Sequence, residues 1–192
     1  MRRGAMIIVG TIALSLHAGE GNLLKNGDFE KFSGNDPTGW ISGNIPNVLT
    51  VVSPSSKSAS GKTSVKCEVK DFYGTKMGGT LSQKDIAVNR GELQVKGFYL
   101  LKSVGKDAGY ISVDVKTEEN STIGTCERYL AEATGEFLPF SFSTKLPDGA
   151  KRVDIMLTLM ADKESESLHE GSYVLFDGLE LLVIGGDGKQ VQ

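Results

Sequence analysis

The stretch Tyr173-Val-Leu-Phe-Asp-Gly-Leu-Glu-Leu-Leu-Val183 decides the fold class. Val174 and Phe176 share one parity, whereas Leu179, Leu181 and Val183 share the other. The switch falls at Asp177-Gly178. One extra residue at that point restores a continuous apolar face, so the segment reads as a long strand interrupted by a β-bulge. A bulge at an aspartate sets a carboxylate on a bent backbone, a position suited to a metal ligand.

Working outward, the same period of two recurs through most of the chain. Leu93, Val95, Tyr99 and Leu101 share a parity, with Gln94 and Lys96 opposite. Ile111, Val113 and Val115 alternate with Ser112, Asp114 and Lys116, and Leu138, Phe140 and Phe142 alternate with Pro139, Ser141 and Ser143. Val153, Ile155, Leu157 and Leu159 follow the same rule. Strands apolar on one side fit antiparallel sheets that pack one face on a core. Turn signals separate them at Ser33–Gly39, Asn89–Gly91, Gly105–Asp107 and Pro147–Gly149. The only helical window of note, Arg128 to Ala133, is short and reads equally well as a strand. The expectation is one all-β domain over residues 20–184, a sandwich of two antiparallel sheets, with a frayed tail at 185–192.

The chain starts Met1-Arg2-Arg3, followed by an apolar run from Ala5 to Leu14 that ends near Ala18. A basic head, a short apolar run and a small residue describe a secretory signal peptide over residues 1–18. The run is shorter than the ~20 residues that span a bilayer, so no membrane insertion is expected after cleavage. Removal takes away two arginines and no acid, moving the net charge from −3 to −3 − 2 = −5. That balance argues against nucleic acid as a partner. The expected location is secreted or cell-envelope, periplasmic or extracellular. Export permits a disulfide between Cys67 and Cys126, with two buried free thiols as the alternative.

Three segments, in order, resemble carbohydrate-binding modules of the CenC-like group, the family 4/9/16/22 relatives with a galactose-binding-like jelly roll. They are Asn22–Glu30 with Pro37-Thr-Gly-Trp40, then Ser60-Gly-Lys-Thr-Ser-Val65, then Tyr173–Leu181. Glu136–Phe142 resembles the aromatic strand between the second and third. The resemblance implies a jelly-roll β-sandwich that binds a polysaccharide or oligosaccharide by aromatic stacking, without catalysis. It also implies a structural calcium ion where the first and last strands meet. By position, the side chains of Glu30 and Asp177 would hold it, joined by the backbone carbonyls of Asp28 and Thr63. Calcium takes six to eight hard oxygen ligands, which such a set plus water can supply.

Sugar rings present apolar C–H faces that aromatic rings cover, while polar neighbours fix the hydroxyls. In the relatives the region of Asp71-Phe72-Tyr73 carries a stacking aromatic, so Tyr73 is the first candidate. Glu127, Arg128 and Tyr129 form a second patch, with Gln83, which follows the glycine pair Gly78-Gly79, as a further donor. Trp40 is expected to pack against the sandwich, as in the family.

The competing readings are a structural or adhesive surface protein that meets another protein in a surface complex, and a jelly-roll polysaccharide lyase or hydrolase. The enzymatic reading is the weakest. His169 is the sole histidine after residue 18 and sits in the acidic loop 162–170, where it is expected to be solvated. No Ser/His/Asp or Cys/His set can be built without it. Glu118-Glu119 are adjacent and would point to opposite faces.

Overall fold

The computed structural model describes residues 21–163, 165 and 167–185. The expected signal peptide, and the tail beyond Gly185, lie outside the described residues.

The alternating segments form strands because each can bury one parity against the other sheet. Three two-residue strands come first: β1 (Phe32–Ser33), β2 (Asp36–Pro37) and β3 (Ile41–Ser42). They are followed by β4 (Val52–Ser55), β5 (Ser64–Phe72), β6 (Thr75–Gly78) and β7 (Leu81–Ala87). The longer strands are β8 (Glu92–Lys102), β9 (Ala108–Lys116), β10 (Thr122–Leu130), β11 (Leu138–Lys145), β12 (Arg152–Met160) and β13 (Tyr173–Ile184). No helix occurs among the described residues.

Two antiparallel sheets face each other. One runs β10-β9-β12-β7-β3; the other runs β11-β8-β13-β5-β4, with β6 paired to β5. This is the sandwich expected from the alternation and the jelly roll that the resemblance implied. The core between the sheets holds Val65, Cys67, Leu93, Ile111, Val113, Ile155, Leu157, Phe176 and Leu181, each almost fully buried. Every such side chain contributes roughly 1.5–3 kcal/mol on burial. Arg128, at the head of the ambiguous window, lies in strand β10, which continues to Leu130.

The bulge sits where the parity switch put it. β13 pairs with β8 in register up to Asp177↔Phe98 and resumes at Glu180↔Lys96. Gly178 takes φ +56°, a conformation costly to any residue with a Cβ. The apolar sides of both halves therefore face the core.

The opening segment differs from expectation. Residues 22–30 form no regular strand. Asn26 and Phe29 have positive φ, and the chain turns at each. Asn22 replaces a ladder with its side chain, donating to Leu179 O and accepting from Leu181 N. Sparse backbone bonds, Leu23 N to Leu181 O and Leu179 N to Gly27 O, still tie the segment to β13.

Candidate functional site: the outer face of the five-stranded sheet

Residues directly opposite in paired strands project from the same side of a sheet. The register therefore builds the outer face row by row. One row crosses all five strands: Glu127 (β10), Ser112 (β9), Met156 (β12), Ser82 (β7) and Ile41 (β3). Four strand spacings make this track about 19 Å long. A neighbouring row holds Tyr129, Tyr110 and Thr158, and the row on the other side holds Thr125, Asp114 and Asp154.

The Tyr129 ring is 43% exposed and leans on Tyr110, with centroids 4.9 Å apart at 60°. The Tyr110 hydroxyl donates to Glu127 Oε2 at 2.5 Å. Burial, reinforced by the Glu127 carboxylate, pushes the Tyr110 phenol up to about 12. It therefore stays a neutral donor and fixes Glu127 in one orientation. Met156, Met160 and Ile41 are also exposed, so the face carries apolar surface beside acceptors.

In the next row Thr125 Oγ1 donates to Asp114 Oδ1 at 2.8 Å, and Lys116 Nζ reaches Asp154 Oδ2 at 2.5 Å. Burial alone would raise the Asp154 pKa. The Lys116 ammonium and the Asp85 N–H outweigh it and hold the carboxyl below its ordinary value.

The residues singled out in the sequence are not brought together. Tyr129 lies on this face. Arg128, its neighbour along an extended strand, pairs with Ile111 and points to the opposite side. Gln83 pairs with Ile155 and turns inward; its amide accepts from Lys25 N and donates to Lys25 O, tethering the opening segment. Tyr73 occupies the tip of the β5–β6 hairpin, 91% exposed. Tyr73 and Gly74 both have positive φ, the backbone of a tight two-residue turn. Trp40 is buried, packs on Phe29 at 5.3 Å and donates Nε1–H to Asn26 O. The Tyr110–Glu127 pair and the Met156–Ile41 track were not read from the sequence. The polar parity of β9 and β12 was visible there, but which residues stand side by side follows only from strand register.

The residues expected to hold calcium converge on one loop. Asp177, fully buried, accepts from Ala59 N (2.7 Å) and Ser60 N (2.9 Å) at one oxygen and from Gly178 N at the other. Glu30 Oε1 accepts from Lys62 N and Thr63 N. Burial raises the Asp177 pKa, three N–H bonds lower it, and the nearby Glu30 charge raises it, with a net upward shift. Two neighbouring acids, one of them desolvated, are a setting in which a hard cation would be favoured. The fit is partial, because three of their four oxygens already accept N–H bonds. The Asp28 side chain is exposed, and Thr63 Oγ1 donates to Phe29 O at 2.6 Å. Among the described residues no group of three or more acidic, Cys or His side chains could hold a metal.

His169 is not the solvated residue that its loop position suggested. Its backbone N–H and its Nδ1 both meet the buried Asp107 carboxylate, at 2.8 and 3.0 Å. The pair staples the β8–β9 turn to the loop before β13, and the imidazole packs closely over Gly105, where a Cβ would collide with it. Cys67 and Cys126 are both free; burial drives the Cys67 thiol pKa far upward, leaving it inert.

No family model matches the chain, and no curated protein matches it. Solved structures do resemble it. The chain is similar to the enzymatically active domain of bacteriophage CBA120 tailspike protein 4, with TM-score 0.61 and 15% identity over 85% of this chain and 21% of that one. It is similar to TmCBM61 in complex with beta-1,4-galactotriose, with TM-score 0.54 and 16% identity over 85% and 99%. It is also similar to the CBM22-1 xylan-binding domain from Paenibacillus barcinonensis Xyn10C, with TM-score 0.50 and 14% identity over 88% and 99%. The chain thus spans only 21% of the tailspike chain but nearly the whole of either module. In fold it is a jelly-roll β-sandwich of the kind found in carbohydrate-binding modules.

Proposed function

We propose that this chain is a non-catalytic glycan-binding module whose ligand lies across the outer face of the five-stranded sheet. The carrying observation is Tyr129, half-exposed and braced by Tyr110, beside a Glu127 carboxylate held in place by the same Tyr110. An apolar sugar face rests on Tyr129, and the hydroxyls donate to Glu127. Met156 and Ile41 extend the apolar track across the sheet. Tyr73, exposed at the tip of the β5–β6 hairpin, is a second candidate stacking ring away from this face. The fold shared with glycan-binding modules supports this reading. In it Asp114 and Asp154, opposite each other on β9 and β12, are acceptors rather than an acid and base, because Lys116 neutralises Asp154.

The reading includes export through residues 1–18 and a calcium ion held by Glu30 and Asp177, which would tie the opening segment to β13 and stabilise the sandwich. Such an ion supplies charge neutralisation and no chemistry.

Affinity electrophoresis of residues 19–192 against a panel of soluble polysaccharides tests the function. Retardation by at least one polymer, weakened about tenfold (~1.4 kcal/mol) in Tyr129→Ala, is expected. A folded protein retarded by none of them would leave protein adhesion as the better account. Release of shortened product from any polymer would make it an enzyme.

A further inference from the structure

A second concave site lies on the other side of β10. The edge strands β10 and β11 belong to different sheets, and between them the sandwich opens into a groove of about 400 Å³. Arg128, Tyr99, Glu132, Leu138 and Phe140 line it. Arg128 alternates with Glu127 and Tyr129, so its side chain leaves β10 on the side away from the outer face and lines this groove, whose rim Tyr129 also borders.

The polar groups here are uncommitted. No side chain among the described residues forms an ion pair or hydrogen bond with Arg128. Tyr99 is 5% exposed, its ring 6.3 Å from Phe140. Burial, and then the Glu132 charge, raise its phenol pKa, while a bond to the Glu132 backbone lowers it. No side chain among the described residues accepts the Tyr99 hydroxyl proton. The Glu132 carboxylate at the rim is exposed and takes no proton from any side chain among the described residues.

We infer that this groove binds an acidic sugar residue, a uronic acid. Arg128 offers two parallel N–H donors in the geometry of a carboxylate, and a guanidinium is the cation best shaped for that group. The neutral Tyr99 hydroxyl donates to a second oxygen. Glu132 accepts from ring hydroxyls, which a uronic acid has and a simple carboxylate anion lacks. Leu138 and Phe140 give the ring an apolar wall. The outer face offers the opposite chemistry: Glu127 and Asp114, which pair with no ammonium among the described residues, favour hydroxyl-rich neutral sugars and repel carboxylates. If the proposed outer-face function holds, one glycan with a neutral backbone and acidic branches would reach both sites around the edge of β10. The groove inference itself does not depend on that function.

The test is a ¹⁵N–¹H titration of residues 19–192 with glucuronic and galacturonic acid, and with glucose and galactose as neutral counterparts. Uronic acid is expected to shift amides at 128–132 and 138–141, at least tenfold more tightly than its neutral counterpart. Arg128→Gln is expected to weaken this at least tenfold, and Tyr99→Phe to weaken it severalfold, with melting temperature unchanged in Arg128→Gln. Equal binding of neutral and acidic sugars at these amides, indifference to Arg128→Gln, or shifts confined to residues 110–114 and 154–158 would each overturn the inference. Neutral polysaccharide binding, measured on the same sample, reports separately on the outer face.

Discussion

The two sheets turn chemically different outer faces to solvent. On the six-stranded side, Tyr173 lies under two ammonium groups, Lys66 Nζ and Lys102 Nζ at 5.9 and 5.8 Å from its ring centre. Glu68 bonds both Lys66 and Lys70, and Lys96 pairs with Glu180. Its aromatic ring and its charges are covered by one another. On the five-stranded side no cation among the described residues lies over the Tyr129 ring, and methionines and an isoleucine stand exposed. Both faces are built from the same alternating strands, so the backbone cannot explain the difference. A face that has satisfied its own groups has little to gain from a ligand. One that holds an acceptor rigid beside a bare ring is preorganised for one.

The comparison can be broken in several places. The largest effect is expected at the bulge that lets β13 keep its apolar side inward. Asp177→Ala removes the buried acceptor of three N–H groups, two of them in a partly exposed turn, and should lower unfolding free energy by about 2 kcal/mol, read by urea denaturation. An unchanged midpoint would mean that the bulge is held by packing alone.

The next two belong together. Tyr129→Ala should weaken glycan binding about tenfold while moving stability by less than about 0.5 kcal/mol, since the ring is half in solvent. Tyr173→Ala should do the reverse, costing about 1 kcal/mol through lost cation–π contact and packing, with glycan affinity untouched. If both variants lower stability alike, the contrast between the faces is only one of appearance.

The smallest effect is in pH dependence, where the signs differ. The Asp154 carboxyl, on the five-stranded face, is lowered from 3.8. Its contribution is present above that value and is lost as pH falls through the lower folded pKa. Asp177 is raised from 3.8, so in chelator its contribution to stability declines as pH climbs from 3.8 through the raised folded value. Stability curves of Asp154→Asn and Asp177→Asn against wild type should deviate in opposite directions. Calcium should flatten the Asp177 effect and raise the melting temperature. No response of melting temperature to calcium or chelator would remove the ion from the proposal.

Much of the fold was legible because burial on one side of a strand forces a period of two, and that period is written residue by residue. The parity break at Asp177-Gly178 was readable for the same reason, since a single inserted residue has one geometric consequence. The candidate site was less legible. Arg128 and Tyr129 looked like one patch because they are adjacent in sequence, yet adjacency in a strand sends side chains to opposite faces. Gln83 follows a glycine pair that suggested a surface donor, but its register against Ile155 turns it toward the opening segment. His169 looked solvated in a polar loop; its partner Asp107 lies in a turn far away in sequence.

The sequence by itself determined that this chain is a β-sandwich and which parity of each strand is buried, because hydrophobic burial acts through local periodicity. Only the tertiary structure decided which side chains meet on the open face: strand order and register are set by pairing between distant segments. That pairing placed Glu127 against Tyr110 and, one residue along the same strand, sent Arg128 into a groove of its own.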